Sequence, residues 1–186
     1  MIKLLIQAAL LGVGLAMDAF SVSMANGMNE KKMAISRMIQ IAIIFACFQF
    51  LMPMIGWFAV HTVSSAFTIF MDAVPWIALI LLLYIGGGMI KDGLDEEEET
   101  EAEYEASTRK LLIQGIATSI DALSVGFTIA DYTLSSALIT SVIIAVVTFI
   151  ICYAGVVLGK KFGMAFANKS SILGGIILIL IGIEIF

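Results

Sequence analysis

Met17-Asp18-Ala19-Phe20-Ser21-Val22 lies within one apolar run, and Ile120-Asp121-Ala122-Leu123-Ser124-Val125 repeats its pattern 103 positions later. Each copy sets a carboxylate and a hydroxyl three residues apart, positions that share a face on a helix. Both runs are long enough to cross a bilayer. An ionisable group at that depth is costly and is usually kept because it serves a function. The plainer reading is an interfacial residue or a helix cap. It fits less well, because neither Asp lies near an expected helix end. Two such groups in repeated contexts predict one site built from two halves.

The rest of the chain agrees with a membrane setting. Its 186 residues are 61% hydrophobic with a mean hydropathy of +1.07, far from the soluble average. Six apolar segments are expected, at roughly 4–26, 36–60, 73–91, 111–130, 134–159 and 170–186. The first is too long for a signal-peptide core and carries Asp18, so it reads as a retained helix. Of the ten basic residues, nine flank the first, third and fifth connections and only Lys3 falls on the other side. The positive-inside rule then places both termini outside. Trp57 and Trp76 fall near the outer interface, as an aromatic belt would.

The two halves are related. Leu4-Leu5-Ile6-Gln7 is echoed by Leu111-Leu112-Ile113-Gln114. The offset that aligns Asp18 with Asp121 also aligns Ser21 with Ser124, Gln49 with Cys152 and Gly56 with Gly159. Three helices per half is an odd number, so the copies are expected in opposite orientation. That is the inverted-repeat plan of secondary transporters, with the site near the midplane at the repeat interface. The expected fold is therefore an all-α membrane protein of six transmembrane helices, N-out and C-out. Residues 1–91 and 111–186 form its two repeats, and 92–110 form a cytoplasmic linker. That linker holds the acidic run Asp95–Glu105, expected to repel itself and stay disordered. Its functional reading is a weak trap for divalent cations.

Several residues could carry chemistry. Gly14, Asp18, Ser21 and Ala25 form one stripe, and Ala117, Asp121, Ser124 and Thr128 the matching one. Small residues let such helices approach closely. Two bare carboxylates in a low-dielectric site repel, so they share a proton or hold a cation between them. Pro53 lacks the N–H that would bond the carbonyl of Gln49, so Gln49 could offer a side-chain and a backbone oxygen. The alternative is a proline kink healed by packing. Thr148 and Cys152 share a face with Gly155 and Gly159, which reads mainly as helix packing beside the site. Met17, Met24 and Met52 could supply a thioether favouring manganese or iron over magnesium and calcium, or be ordinary apolar residues. Asn26 either faces the inner mouth of a pathway or ends the first helix. Thr118, three residues before Asp121, is a further candidate secondary ligand or pathway residue. Cys47 and Cys152 make no C-x-x-C pair and no disulfide framework.

At these residues the chain resembles the MntP-type manganese efflux pumps. The matching stretches are Met17-Asp18-Ala19-Phe20, Phe48-Gln49 with Met52-Pro53 and Gly56-Trp57, Ala117-Thr118-Ser119-Ile120-Asp121-Ala122, and Leu173-Gly174-Gly175. The resemblance covers nearly the whole chain. It implies export of Mn²⁺ across a bacterial plasma membrane, with Asp18 and Asp121 as the central polar residues and Mn²⁺ as cargo rather than a resident cofactor. Lipid and a divalent ion are the expected partners, with no nucleic acid and no enzymatic activity. The residues alone lead only to a cation transporter. No G-x-x-x-x-G-K-[ST] is present to couple ATP directly. An intramembrane aspartyl protease would also pair two Asp, but neither Asp sits in a G-x-G-D stretch. An amino-acid exporter would want a fixed cation in the site, and no Lys or Arg lies mid-membrane.

Overall fold

The computed structural model describes residues 2–30, 33–62 and 101–165, with single positions between 76 and 90 and between 172 and 183. Among the described residues there is no strand. Five helices follow in order: α1 (Ile2–Asn29), α2 (Ile35–Thr62), α3 (Glu101–Ala117), α4 (Ile120–Thr128) and α5 (Leu134–Ala165). Four stretches are long and apolar enough to span a membrane: Ile2–Asn29, Ile35–Val60, Thr108–Thr128 and Leu134–Phe162. They are the first, second, fourth and fifth expected segments. The expected helices at 73–91 and 170–186 lie outside the described residues, apart from those single positions.

Two features differ from expectation. From Glu101 onward the acidic run is helical, because it leads directly into the apolar turns of α3. The segment expected as one helix over 111–130 is interrupted at Thr118-Ser119, so α3 and α4 are separate helices. Thr118 and Ser119 account for the interruption. Their hydroxyls bond back to carbonyls of the last turn of α3, Thr118 Oγ1 to Gln114 O (2.9 Å) and Ser119 Oγ to Gly115 O (2.6 Å). Such back-bonding competes with the helical ladder.

Short connections make neighbours antiparallel. The loop at 30–34 is closed by Met33 N–H to Glu30 O (3.2 Å). The turn at 129–133 is closed by Tyr132 N–H to Ile129 O (2.9 Å). Between non-neighbours the contacts set the direction. On α1 and α5, Gly12 lies against Ile144 and Val147, and Gly27 against Val156 and Lys160, so these two helices run parallel. On the other pair, Gly115 lies against Ile44 and Phe48, and Gly126 against Pro53 and Trp57, so α3–α4 runs parallel to α2. α1 thus packs on α5 and α3–α4 on α2, and α1 points opposite to α4.

These contacts also fix how many residues separate the crossings on each helix. From Gly12 to Met24 on α1 is twelve residues, matching the twelve from Val147 to Gly159 on α5. The partner stretch Ile44 to Gly56 on α2 is also twelve, but Gly115 to Leu123 on the interrupted helix is only eight. Twelve helical residues rise about 18 Å and eight about 12 Å. The turn at Thr118-Ser119 is the one place on this stretch where the rise can differ. Before it the halves match at an offset of 103. Beyond it, the α1 contacts correspond to those of α4 at 99, one helical turn away.

The core is split in two. One cluster joins Ala19, Val22, Ala25, Ile41, Phe45, Leu111, Ala117 and Val156 toward the loop at 30–34. The other joins Met54, Trp57, Val125, Ile129, Ala137 and Ile144 toward the turn at 129–133. Trp57, expected at the lipid interface, is only 8% exposed and donates from Nε1 to Tyr132 O (3.1 Å). It packs inward because its indole N–H finds a carbonyl there. Trp76 remains exposed. Exposed apolar side chains such as Leu10, Ile43, Phe58, Val146 and Ile150 cover the outside. In a membrane that is a lipid-facing surface.

Candidate functional site

Between the two apolar clusters lies a polar layer. It is made where the helices change cluster, near residues 15–18 of α1, 49 of α2, 118–121 around the interruption, and 148 of α5. Asp18, Gln49, Thr118, Ser119, Asp121 and Thr148 fall in it. Asp121 sits one turn closer to its helix crossing than Asp18 does.

The interruption changes the setting of Asp121. It lies in the first turn of α4, not mid-helix, so the positive end of that helix backs a negative charge. Asp121 Oδ1 accepts from Ala122 N–H at 2.8 Å. In an unbroken helix that N–H would go to Thr118 O. Thr118 O instead accepts from the side-chain amide of Gln49 (3.2 Å). The same amide donates to Leu15 O on α1 (3.2 Å). Leu15 and Thr118 each stand three residues before a carboxylate. Gln49 is fully buried, and its Oε1 has no hydrogen-bond partner.

The two hydroxyls behave alike. Ser21 Oγ donates to Met17 O (3.1 Å) and Ser124 Oγ to Asp121 O (2.5 Å). With the proton committed to the backbone, each oxygen presents lone pairs outward, which is what a cation ligand needs. Asp121 and Ser124 are on the accessible surface, and Asp18 and Ser21 are half-buried. Oxygen donors of this kind suit a hard divalent cation. Among the described residues no group of three or more His, Cys, Asp or Glu is gathered.

Other expected residues stand apart. Met17 is 51% exposed on the outer face and Met52 is half-buried. Asn26 neither ends α1 nor joins the layer; it donates to Gln114 Oε1 (2.8 Å) toward the loop at 30–34. Thr128 is exposed and bonded to Val125 O (2.8 Å). Cys152 is buried beside Ser23, and Thr148 is buried with its hydroxyl unpartnered. Pro53 does not stop α2, and its carbonyl meets Gly126. Gly14 has open space around it, so the close approaches are made by Gly12 and Gly27 instead. Ser119, Gln114 and Ser23 are the polar residues that sequence reading passed over. The adjacent Thr118-Ser119 pair in an apolar run was the available signal for the first, because Ser and Thr accompany broken membrane helices.

Comparison with known proteins bears on this arrangement. The family profile described as "Putative manganese efflux pump" matches residues 32–186. A Clostridium botulinum protein named "Putative manganese efflux pump MntP 2" is 43% identical, covering 98% of this chain and 94% of its own. A Methanobrevibacter smithii protein named "Putative manganese efflux pump MntP" is also 43% identical, covering 97% and 96%. One from Ruminiclostridium cellulolyticum with the same name is 40% identical, covering 98% and 95%. No solved structure matches. With relatives this similar over nearly its whole length, the chain belongs to the MntP family of manganese efflux pumps.

Proposed function

We propose that this protein exports Mn²⁺ by secondary-active exchange with protons, at a site formed by Asp18 and Asp121 with Ser21, Ser124 and Gln49. The observation that carries the reading is the polar layer itself. The two carboxylates stand on antiparallel helices in one layer between two apolar clusters, beside a helix interruption. In a membrane, away from bulk water, two such carboxylates sharing one site are unfavourable when both are bare. A divalent cation relieves the repulsion, and so do protons. Metal and protons therefore compete for one place, which is the chemical basis of exchange. The names of the relatives supply manganese, and the oxygen donors are compatible with it.

The opposite directions of α1 and α4 favour an inverted repeat, and with it the reading takes three helices per half, six spans in all and both termini outside. The two glycine crossings, Gly27 and Gly159 between α1 and α5 and Gly56 with Gly126 between α2 and α4, lie at opposite ends of the bundle. Loosening one while the other stays closed would expose the layer to one side at a time. In a bacterium the membrane would be the plasma membrane. The test is Mn²⁺ flux into proteoliposomes, with and without a pH gradient, for the native chain and for Asp18→Asn. Flux that follows the gradient and vanishes in the variant is expected. Undiminished flux in the variant would sink the two-Asp site, and no flux in the native chain would sink manganese export.

A further inference from the structure

We infer that Gln49 acts as a cross-brace, setting the position of the Asp121 turn against α1 through two hydrogen bonds from one amide. The inference rests on the reading of Asp18 and Asp121 as the ion-binding pair. The Gln49 side-chain amide donates to Leu15 O and Thr118 O, both at 3.2 Å. These carbonyls occupy equivalent places in the two halves, each three residues ahead of its carboxylate. One side chain of α2 thus ties together both first helices, at the depth where the ion would sit.

The brace answers a specific need. At Thr118-Ser119 the chain leaves the helix, and Ala122 N–H turns to Asp121 Oδ1. Thr118 O would then be a buried acceptor without its helical donor, a costly state away from water. Gln49 supplies the donor. Both amide protons are used, so Gln49 cannot rotate its amide to present nitrogen elsewhere without orphaning a carbonyl. Its Oε1 is thereby fixed in place, buried and unpartnered. Gln49 is a positioning residue first, and the oxygen it holds toward the interior is available to the cargo ion or to a water.

A brace and a simple ligand predict different behaviour for close isosteres. Gln49→Met keeps the bulk and removes both donors and the oxygen. Gln49→Glu keeps an oxygen and adds charge, which favours a cation, but a carboxylate cannot donate to the two carbonyls. Two readouts are needed: the Mn²⁺ concentration for half-maximal flux in proteoliposomes, and amide hydrogen exchange of the segment 111–128 in detergent. For the brace, both variants lose protection in 111–128 while α5 peptides are unchanged. Both also raise the half-saturating Mn²⁺ by about tenfold or more, as expected for two lost buried hydrogen bonds. A Gln49→Glu protein with native protection and equal or tighter Mn²⁺ would overturn the brace and leave only a ligand. So would a Gln49→Met protein indistinguishable from native in exchange. If Gln49→Met does not fold, the exchange pattern of Gln49→Glu decides. If the native chain carries no Mn²⁺, the transport reading fails, while hydrogen exchange still decides the brace.

Discussion

At the scale of single residues, the site is defined by what each polar atom has already spent. Ser21 and Ser124 have donated their protons to the backbone, so their oxygens can only accept. Ser124→Ala should therefore raise the half-saturating Mn²⁺ by roughly three- to tenfold, with the maximal rate changed less. Flux titration in proteoliposomes checks this. An equal fall in maximal rate with unchanged saturation would mean that Ser124 serves motion and not binding. The carboxylates carry the larger effect. Asp121→Asn removes half of the charge that would attract the ion and should abolish flux without loss of expression or helix content. Circular dichroism and flux on the same preparation separate the two. Met17, by contrast, faces outward, and Met17→Leu should leave metal selectivity unaltered in a competition assay with magnesium and iron.

At the scale of elements, glycines govern how closely the helices cross. A Cβ at Gly126 would stand 2.5 Å from Pro53 O and from Trp57 N, both backbone atoms that cannot rotate away. Gly126→Ala must push α4 off α2, at a cost of about 1–3 kcal/mol. The thermal midpoint in detergent should fall accordingly, whereas Gly14→Ala, with open space around Gly14, should not lower it. The interrupted helix is the other decisive element. Its eight residues between crossings do the work of twelve in α1, and that places Asp121 in a first turn.

At the scale of the whole molecule, the described helices are held together at the two ends of the bundle by different means. Near the turn at 129–133 the closure is apolar, built on Gly56, Gly126 and the Trp57 indole bound to Tyr132 O. Near the loop at 30–34, Lys160 Nζ donates to Met33 O at 2.7 Å, alongside the Gly27 and Gly159 contacts. Lys160→Met removes a charge-assisted bond and should shift the balance toward opening at that end. Labelling of a cysteine placed at Ala25, with Cys47 and Cys152 replaced, should accelerate roughly tenfold. An unchanged rate would show that the glycine contacts hold that end without the lysine.

Much of this was legible in the sequence, because lipid imposes simple rules. Long apolar runs must be helices, since every backbone polar group has to be satisfied internally. Charged residues inside such runs stand out, and Asp18 and Asp121 are the candidates they offer. What apolar patterning could not carry was the break at Thr118-Ser119. Hydropathy is blind to it, because two hydroxyl residues hardly change an apolar average. It arises from a choice of hydrogen-bond partner, made favourable only by an amide reaching over from α2. The inward turn of Trp57 and the pairing of Asn26 with Gln114 depend in the same way on acceptors from distant parts of the chain. Period, length and charge are local properties and settle the helices and the candidate carboxylates. Which donor meets which acceptor is decided between helices, and it is that pairing that sets where Asp121 stands against Asp18.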